Sequence, residues 1–135
     1  MQTTSLIFDF YGVLYPYSKE AKQVVSKLSR TYKIGAISSL SPAMVKRISR
    51  YYDIEHGFCS IGLGMSKREE GLYHYFCKEY DFIKEKTIFI DDNQVRLEAA
   101  KHAGLNTAWY TDSDLPKFHT SDYKIDNLKQ IFEII

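Results

Sequence analysis

Cysteine, proline and tryptophan are scarce in these 135 residues: two, three and one, respectively. Cys59 and Cys77 have no spacing that would make a metal knuckle or a redox pair, so they read as small thiols in a reducing compartment, and no disulfide between them is expected. No apolar run approaches the roughly 20 residues that span a bilayer. The N-terminus lacks the basic start and apolar stretch of a secretory signal, so a cytoplasmic protein is expected. Neither sign of charge dominates: 18 Lys and Arg face 17 Asp and Glu, a formal net charge of +1. That balance gives no pointer towards nucleic acid or a membrane surface. Repeats, low-complexity segments and linkers are also missing, and the length suits one domain over residues 1–135.

Present instead is ordinary core-forming material, 44% hydrophobic and 26% charged, enough for one core. Its most informative stretch is Ser5 to Leu14. An apolar, β-type run, Leu6 to Phe10, carries a single acid at Asp9 and then meets Gly12. Continuous apolar character suits a strand buried on both faces of a parallel sheet. Ser18 can cap a helix from Lys19 to Tyr32 with Ala21, Val24, Val25 and Leu28 inward. Ile34 to Ile37 reads as a second strand, ending in Ser38-Ser39. Ser41-Pro42 starts a helix to Tyr52, and Gly57 to Ser60 is a short third strand.

After a loop from Ile61 to Ser66, Lys67 is read as opening a helix to Tyr80. Lys86 to Ile90 is a fourth strand ending in Asp91-Asp92. Asn93 can cap a helix closed by Gly104, and Asn106 to Tyr110 is a fifth strand. Thr111 to Lys124, with Asp112, Asp114 and Pro116, reads as a surface loop, and Ile125 to Ile135 as a final amphipathic helix. Strands alternating with helices predict an α/β fold, a doubly wound parallel sheet with right-handed crossovers.

In such a sheet ligands bind outside the carboxyl ends of the strands. Asp9, Ser38, Ser39, Asp91 and Asp92 all follow strands, and Lys67 can reach the same edge. Three carboxylates and a lysine there suit Mg²⁺, which takes oxygen ligands from one or two carboxylates plus water and phosphate. A carboxylate can also act as nucleophile and form an acyl phosphate, while Lys67 and the metal neutralise the transferring group. Ser38 or Ser39 could hydrogen-bond a phosphate oxygen. Taken alone, the two serines would sooner be helix caps, and Lys67 a solvated lysine.

Phe8-Asp9-Phe10-Tyr11-Gly12-Val13-Leu14 resembles the first motif of the haloacid dehalogenase-like hydrolases. Ile37-Ser38-Ser39, Lys67 and Phe89-Ile90-Asp91-Asp92-Asn93 resemble the second, third and fourth motifs, in the family's order over residues 5 to 110. The resemblance implies a Rossmann-like core with five strands in the order 5-4-1-2-3. It also implies Asp9 as nucleophile and Asp91 and Asp92 at a Mg²⁺ ion, with the Tyr11 backbone carbonyl as a further ligand. A phosphorylated substrate, small or macromolecular, follows from it. Two departures stand out. Family phosphatases carry a second Asp where this chain has Tyr11, and Tyr there resembles the dehalogenases, whose halide leaving group needs no proton. The gaps from Asp9 to Ser38 and from Ser39 to Lys67 leave no room for a cap domain. Uncapped relatives act on large substrates or borrow a lid from another subunit, as a homo-oligomer would allow. Three readings result: a capless Mg²⁺-dependent phosphatase, a catalytically impaired binding or scaffold protein, and a dehalogenase-type hydrolase.

Overall fold

The computed structural model describes residues 2–112 and 120–135. Six parallel strands form one sheet: β1 (Ser5–Phe8), β2 (Lys33–Ser38), β3 (His56–Cys59), β4 (Thr87–Asp91), β5 (Asn106–Tyr110) and β6 (Tyr123–Ile125). Their order is β3-β2-β1-β4-β5-β6. The expected five-strand order is therefore nested inside it, with one further strand beyond β5. The sixth strand stands where the surface loop and the start of the last helix were expected. Asp122, just before it, accepts hydrogen bonds on Oδ2 from the Thr107 backbone N–H at 2.9 Å and the Thr107 hydroxyl at 3.2 Å. Tyr123 to Ile125 then pair with Ala108 to Tyr110. Residues 113–119 of that expected loop, Asp114 and Pro116 among them, lie outside the described residues. The C-terminal helix is correspondingly short, α5 (Ile131–Ile134), preceded by a 3-10 turn at Leu128–Gln130.

The other helices are α1 (Lys19–Leu28), α2 (Pro42–Tyr52), α3 (Glu70–Tyr80) and α4 (Gln94–His102). Their starts follow from local chemistry. The Ser18 and Ser41 hydroxyls accept hydrogen bonds from the Ala21 and Met44 backbone N–H groups, and Asn93 Oδ1 from that of Arg96. Each satisfies one of the donors a helix start leaves open. Lys67 does not open α3, which begins three residues later. It sits in the preceding turn, and its carbonyl accepts a hydrogen bond from the buried Tyr73 hydroxyl at 2.5 Å.

The strands are apolar on both sides, so the sheet has two cores. Leu6, Phe8 and Ile90 face α1 and α2; Ile7, Ile37 and Phe89 face α3 and α4. Gly35 is required on the second side, because a Cβ there would lie 2.8 Å from Phe76 of α3. Cys59 and Cys77 are both free thiols, and burial pushes the Cys77 thiol up to about 11. Among the described residues no helix is long and apolar enough to cross a membrane.

Candidate active site

The register of the central strands builds the site. Phe8 pairs with Ile90 on one side and Ala36 on the other. Asp9, one residue on, therefore lies beside Asp91 and Ile37, and its N–H donates to the Ile90 carbonyl at 3.0 Å. Asp9 and Asp91 are both buried, and Asp92 is exposed. Each of the three offers a carboxylate oxygen within 4.8 Å of the others'. Gly12 fits against this group with φ +91°, a region that favours glycine, and a Cβ there would stand 2.2 Å from Asp92 Oδ2.

Lys67 enters the cluster from its turn, almost fully buried. Its ammonium hydrogen-bonds Asp9 Oδ1, donates to the Ile37 carbonyl at 3.3 Å, and lies 3.9 Å from Asp91 Oδ2. A second cation, not anticipated from the sequence, comes from the first turn of α4. The Arg96 guanidinium reaches all three acids, at 3.8 Å from Asp9 Oδ1, 3.6 Å from Asp91 Oδ2 and 3.7 Å from Asp92 Oδ1. Its one sequence signal is the i, i+4 spacing from Asp92.

Two cations do not neutralise three acids. Burial pushes the Asp9 carboxyl above its ordinary value, with Lys67 pulling the other way. Burial and then the Asp9 charge push Asp91 up further. Asp9 Oδ2 and Asp91 Oδ2 are buried without a hydrogen-bond partner. Buried carboxylate oxygens that accept no hydrogen bond are costly, and a cation bound among the acids would lower that cost. The donor set fits a hard divalent ion: oxygen only, with a spread close to the roughly 4 Å between opposed ligands of Mg²⁺.

The remaining anticipated residues divide. Ser38 is buried, and its hydroxyl accepts from the Leu40 N–H at 3.1 Å. Ser39 is exposed and lines a crevice of about 640 Å³ with Ser60, Met65, Lys67, Arg68 and Arg96. Neither serine caps α2; Ser41 does. The Tyr11 side chain is 65% exposed, and no hydrogen bond joins its hydroxyl to the acids among the described residues.

A doubly wound parallel sheet with one acid after its central strand, a pair after the neighbour and a lysine between them defines a class of α/β hydrolases. The chain matches the family model of the haloacid dehalogenase-like hydrolases over residues 18–104, and it belongs to that family. Solved structures agree in fold. A hydrolase of the superfamily from Geobacter sulfurreducens superposes with TM-score 0.76 at 12% identity, covering 98% of this chain and 100% of the other. The core domain of a candidate phosphoglycolate phosphatase from Streptococcus pneumoniae gives 0.75 at 19%, covering 99% and 96%. A dehalogenase captured with an intermediate gives 0.76 at 17%, covering 87% of this chain and 56% of that one. This chain thus spans little more than half the length of that dehalogenase. No curated protein matches it.

Proposed function

We propose that the protein is a single-domain, capless phosphatase that uses Mg²⁺ and works through an aspartyl intermediate at Asp9. The observation that carries this reading is the division of labour at that carboxylate. Lys67 holds Oδ1, while Oδ2 is left without a partner. An oxygen fixed by its neighbour and itself unpaired is positioned as a nucleophile.

In the first step Asp9 Oδ2 forms a bond to phosphorus and the ester P–O bond breaks, the leaving oxygen carrying away the electron pair. Water then attacks phosphorus and loses a proton to solvent, and the bond between Asp9 and phosphorus breaks with its electron pair returning to the carboxylate as phosphate leaves. Asp9, Asp91, Asp92 and the Tyr11 carbonyl would hold the ion, which when bound supplies charge neutralisation for the phosphoryl oxygens. Lys67 keeps the nucleophile oriented and balances charge on the transferring group. Ser39, at the crevice wall, is the better placed of the two serines for a phosphate oxygen. Arg96 covers the acids, so it would swing from the carboxylates to the phosphate as substrate enters. A guanidinium fork suits either partner.

Tyr11 gives the leaving group no positioned carboxylic acid, so substrates with acidic leaving groups are favoured. The open crevice supports a large phosphorylated substrate, or a lid lent by a second copy. The test is hydrolysis of p-nitrophenyl phosphate, whose leaving group needs little protonation. Turnover that requires Mg²⁺ and is lost in Asp9→Asn supports the proposal. Activity no greater than that of Asp9→Asn overturns it in favour of a binding protein. The Arg96 guanidinium favours that second reading, since it already sits among all three acids where a cation would bind. Chloride release from 2-chloropropionate without metal would instead support dehalogenase chemistry.

A further inference from the structure

The near-zero net charge conceals a strong asymmetry. Between Lys19 and Arg50 the sequence has eight Lys and Arg and one acid, Glu20; the rest of the chain has ten against sixteen. In the fold this segment is chiefly α1 and α2, which pack side by side on one face of the sheet. Lys19, Lys22 and Lys27 on α1, Arg30 just after it, and Lys46, Arg47 and Arg50 on α2 are all exposed; Lys46 and Arg50 line a separate crevice with Asp53 and Glu55, so the unmixed part of the face is that of α1. Among the described residues, none of these seven takes part in an ion pair; Glu20 lies near Lys129 instead, at 3.9 Å. Surfaces ordinarily intersperse the two signs. A one-sign field held against its own repulsion attracts the opposite charge from solution.

We propose that the α1–α2 face binds single-stranded nucleic acid. Its shape and lining fit a phosphate backbone. A shallow trough of about 500 Å³ runs along α1, lined by Lys19, Lys22, Gln23, Ser26, Lys27 and Arg30. Every one of these side chains can donate a hydrogen bond and none is acidic. The helix is about 15 Å long, so the trough presents its cations in a row rather than at a point. Next to it stand two tyrosines. Tyr17 is 40% exposed, its ring centroid is 4.4 Å from that of Tyr51, and the Lys22 ammonium lies 4.4 Å over the Tyr51 ring. Cations that follow a backbone beside rings on which bases stack are the means by which single strands are held without sequence preference.

A membrane surface is the poorer match. Interfacial helices need an apolar face for the lipid, and the large apolar residues of these two, Val24, Val25, Leu28, Val45 and Ile48, are in the core, leaving only Pro42 and Ala43 exposed.

The test is fluorescence anisotropy of the full chain with a labelled 20-nucleotide single strand of mixed sequence, at 50 and 200 mM KCl. With about four phosphates engaged, the affinity should fall about 50-fold between the two salts. The triple variant Lys22→Glu, Arg30→Glu, Arg47→Glu should bind at least ten times more weakly at 50 mM KCl while keeping the melting temperature of the parent. No binding at 50 mM KCl, or binding that the triple variant leaves intact, overturns the proposal. So does co-sedimentation with phosphatidylserine vesicles in the absence of oligonucleotide binding.

Discussion

Asp91→Asn should make the metal-free protein more stable, not less. The substitution keeps the shape of the side chain, and an oxygen can still accept the Asn93 N–H that Asp91 Oδ1 receives at 3.0 Å. It removes one of three acids that face two cations. At an effective dielectric near 20, the attractions of Asp91 to Lys67 at 3.9 Å and Arg96 at 3.6 Å are each about 4 kcal/mol, and the repulsion from Asp9 is of similar size. Taking the charge out of water costs several kcal/mol more. The upward displacement of the Asp91 carboxyl from 3.8 says which side wins: burial and the Asp9 charge outweigh the two cations, so the fold favours the neutral form more than water does. A neutral isostere should then gain about 1–2 kcal/mol, near 4–8 °C in melting temperature for a chain of this size. The pH dependence fixes the sign. A carboxyl whose folded value is raised binds its proton more tightly when folded, so wild-type stability falls as pH rises from about 3.8 through that raised value and then levels off. The advantage of the variant should therefore be smaller at pH 4 than at pH 8, read by thermal melts in EDTA. Adding Mg²⁺ should raise the wild-type melting temperature and leave the variant nearly unmoved. A variant that melts below wild type by the same margin at both pH values would refute the reasoning.

Tyr11→Asp puts a carboxyl where family phosphatases carry their proton donor. It should raise the hydrolysis of alkyl phosphates by about 10²-fold while changing p-nitrophenyl phosphate turnover little, which a comparison of the two substrates would show. Gly12→Ala meets both a positive φ and Asp92 Oδ2 at 2.2 Å. It should cost 1–3 kcal/mol in urea unfolding and weaken Mg²⁺ binding measured by calorimetry.

The buried acids could be found in the sequence because each contradicts its surroundings. Asp9 and Asp91 end runs that are otherwise apolar, and parallel pairing of those runs leaves them side by side. Lys67 is marked by its place in the motif order, although its turn reads from the sequence as the start of a helix, since Glu69 and Glu70 after it give no sharper boundary. Arg96 escaped notice because an arginine on an exposed helical turn resembles any solvated residue. Only the path of α4 across the end of β4 turns it inward. Tyr123 to Ile125 is too short a segment to display a period of two, and what makes it a strand is the free edge of β5 together with the grip of Asp122 on Thr107. The charge of the α1–α2 face was invisible in a net value of +1 and emerged once the two helices were seen to be neighbours.

The central strand draws its two partners from very different distances along the chain: Phe8 meets Ala36 soon after it, but Ile90 only much later. Pairings this remote close slowly, because loop entropy must be overcome before the contacts form. During synthesis, therefore, Asp9 emerges long before Asp91 and can remain hydrated while β1 and β2 associate. The crowded carboxylates are brought together only when β4 joins β1, and the same step brings Phe89, Leu97 and Trp109 to complete the core on the α3–α4 side.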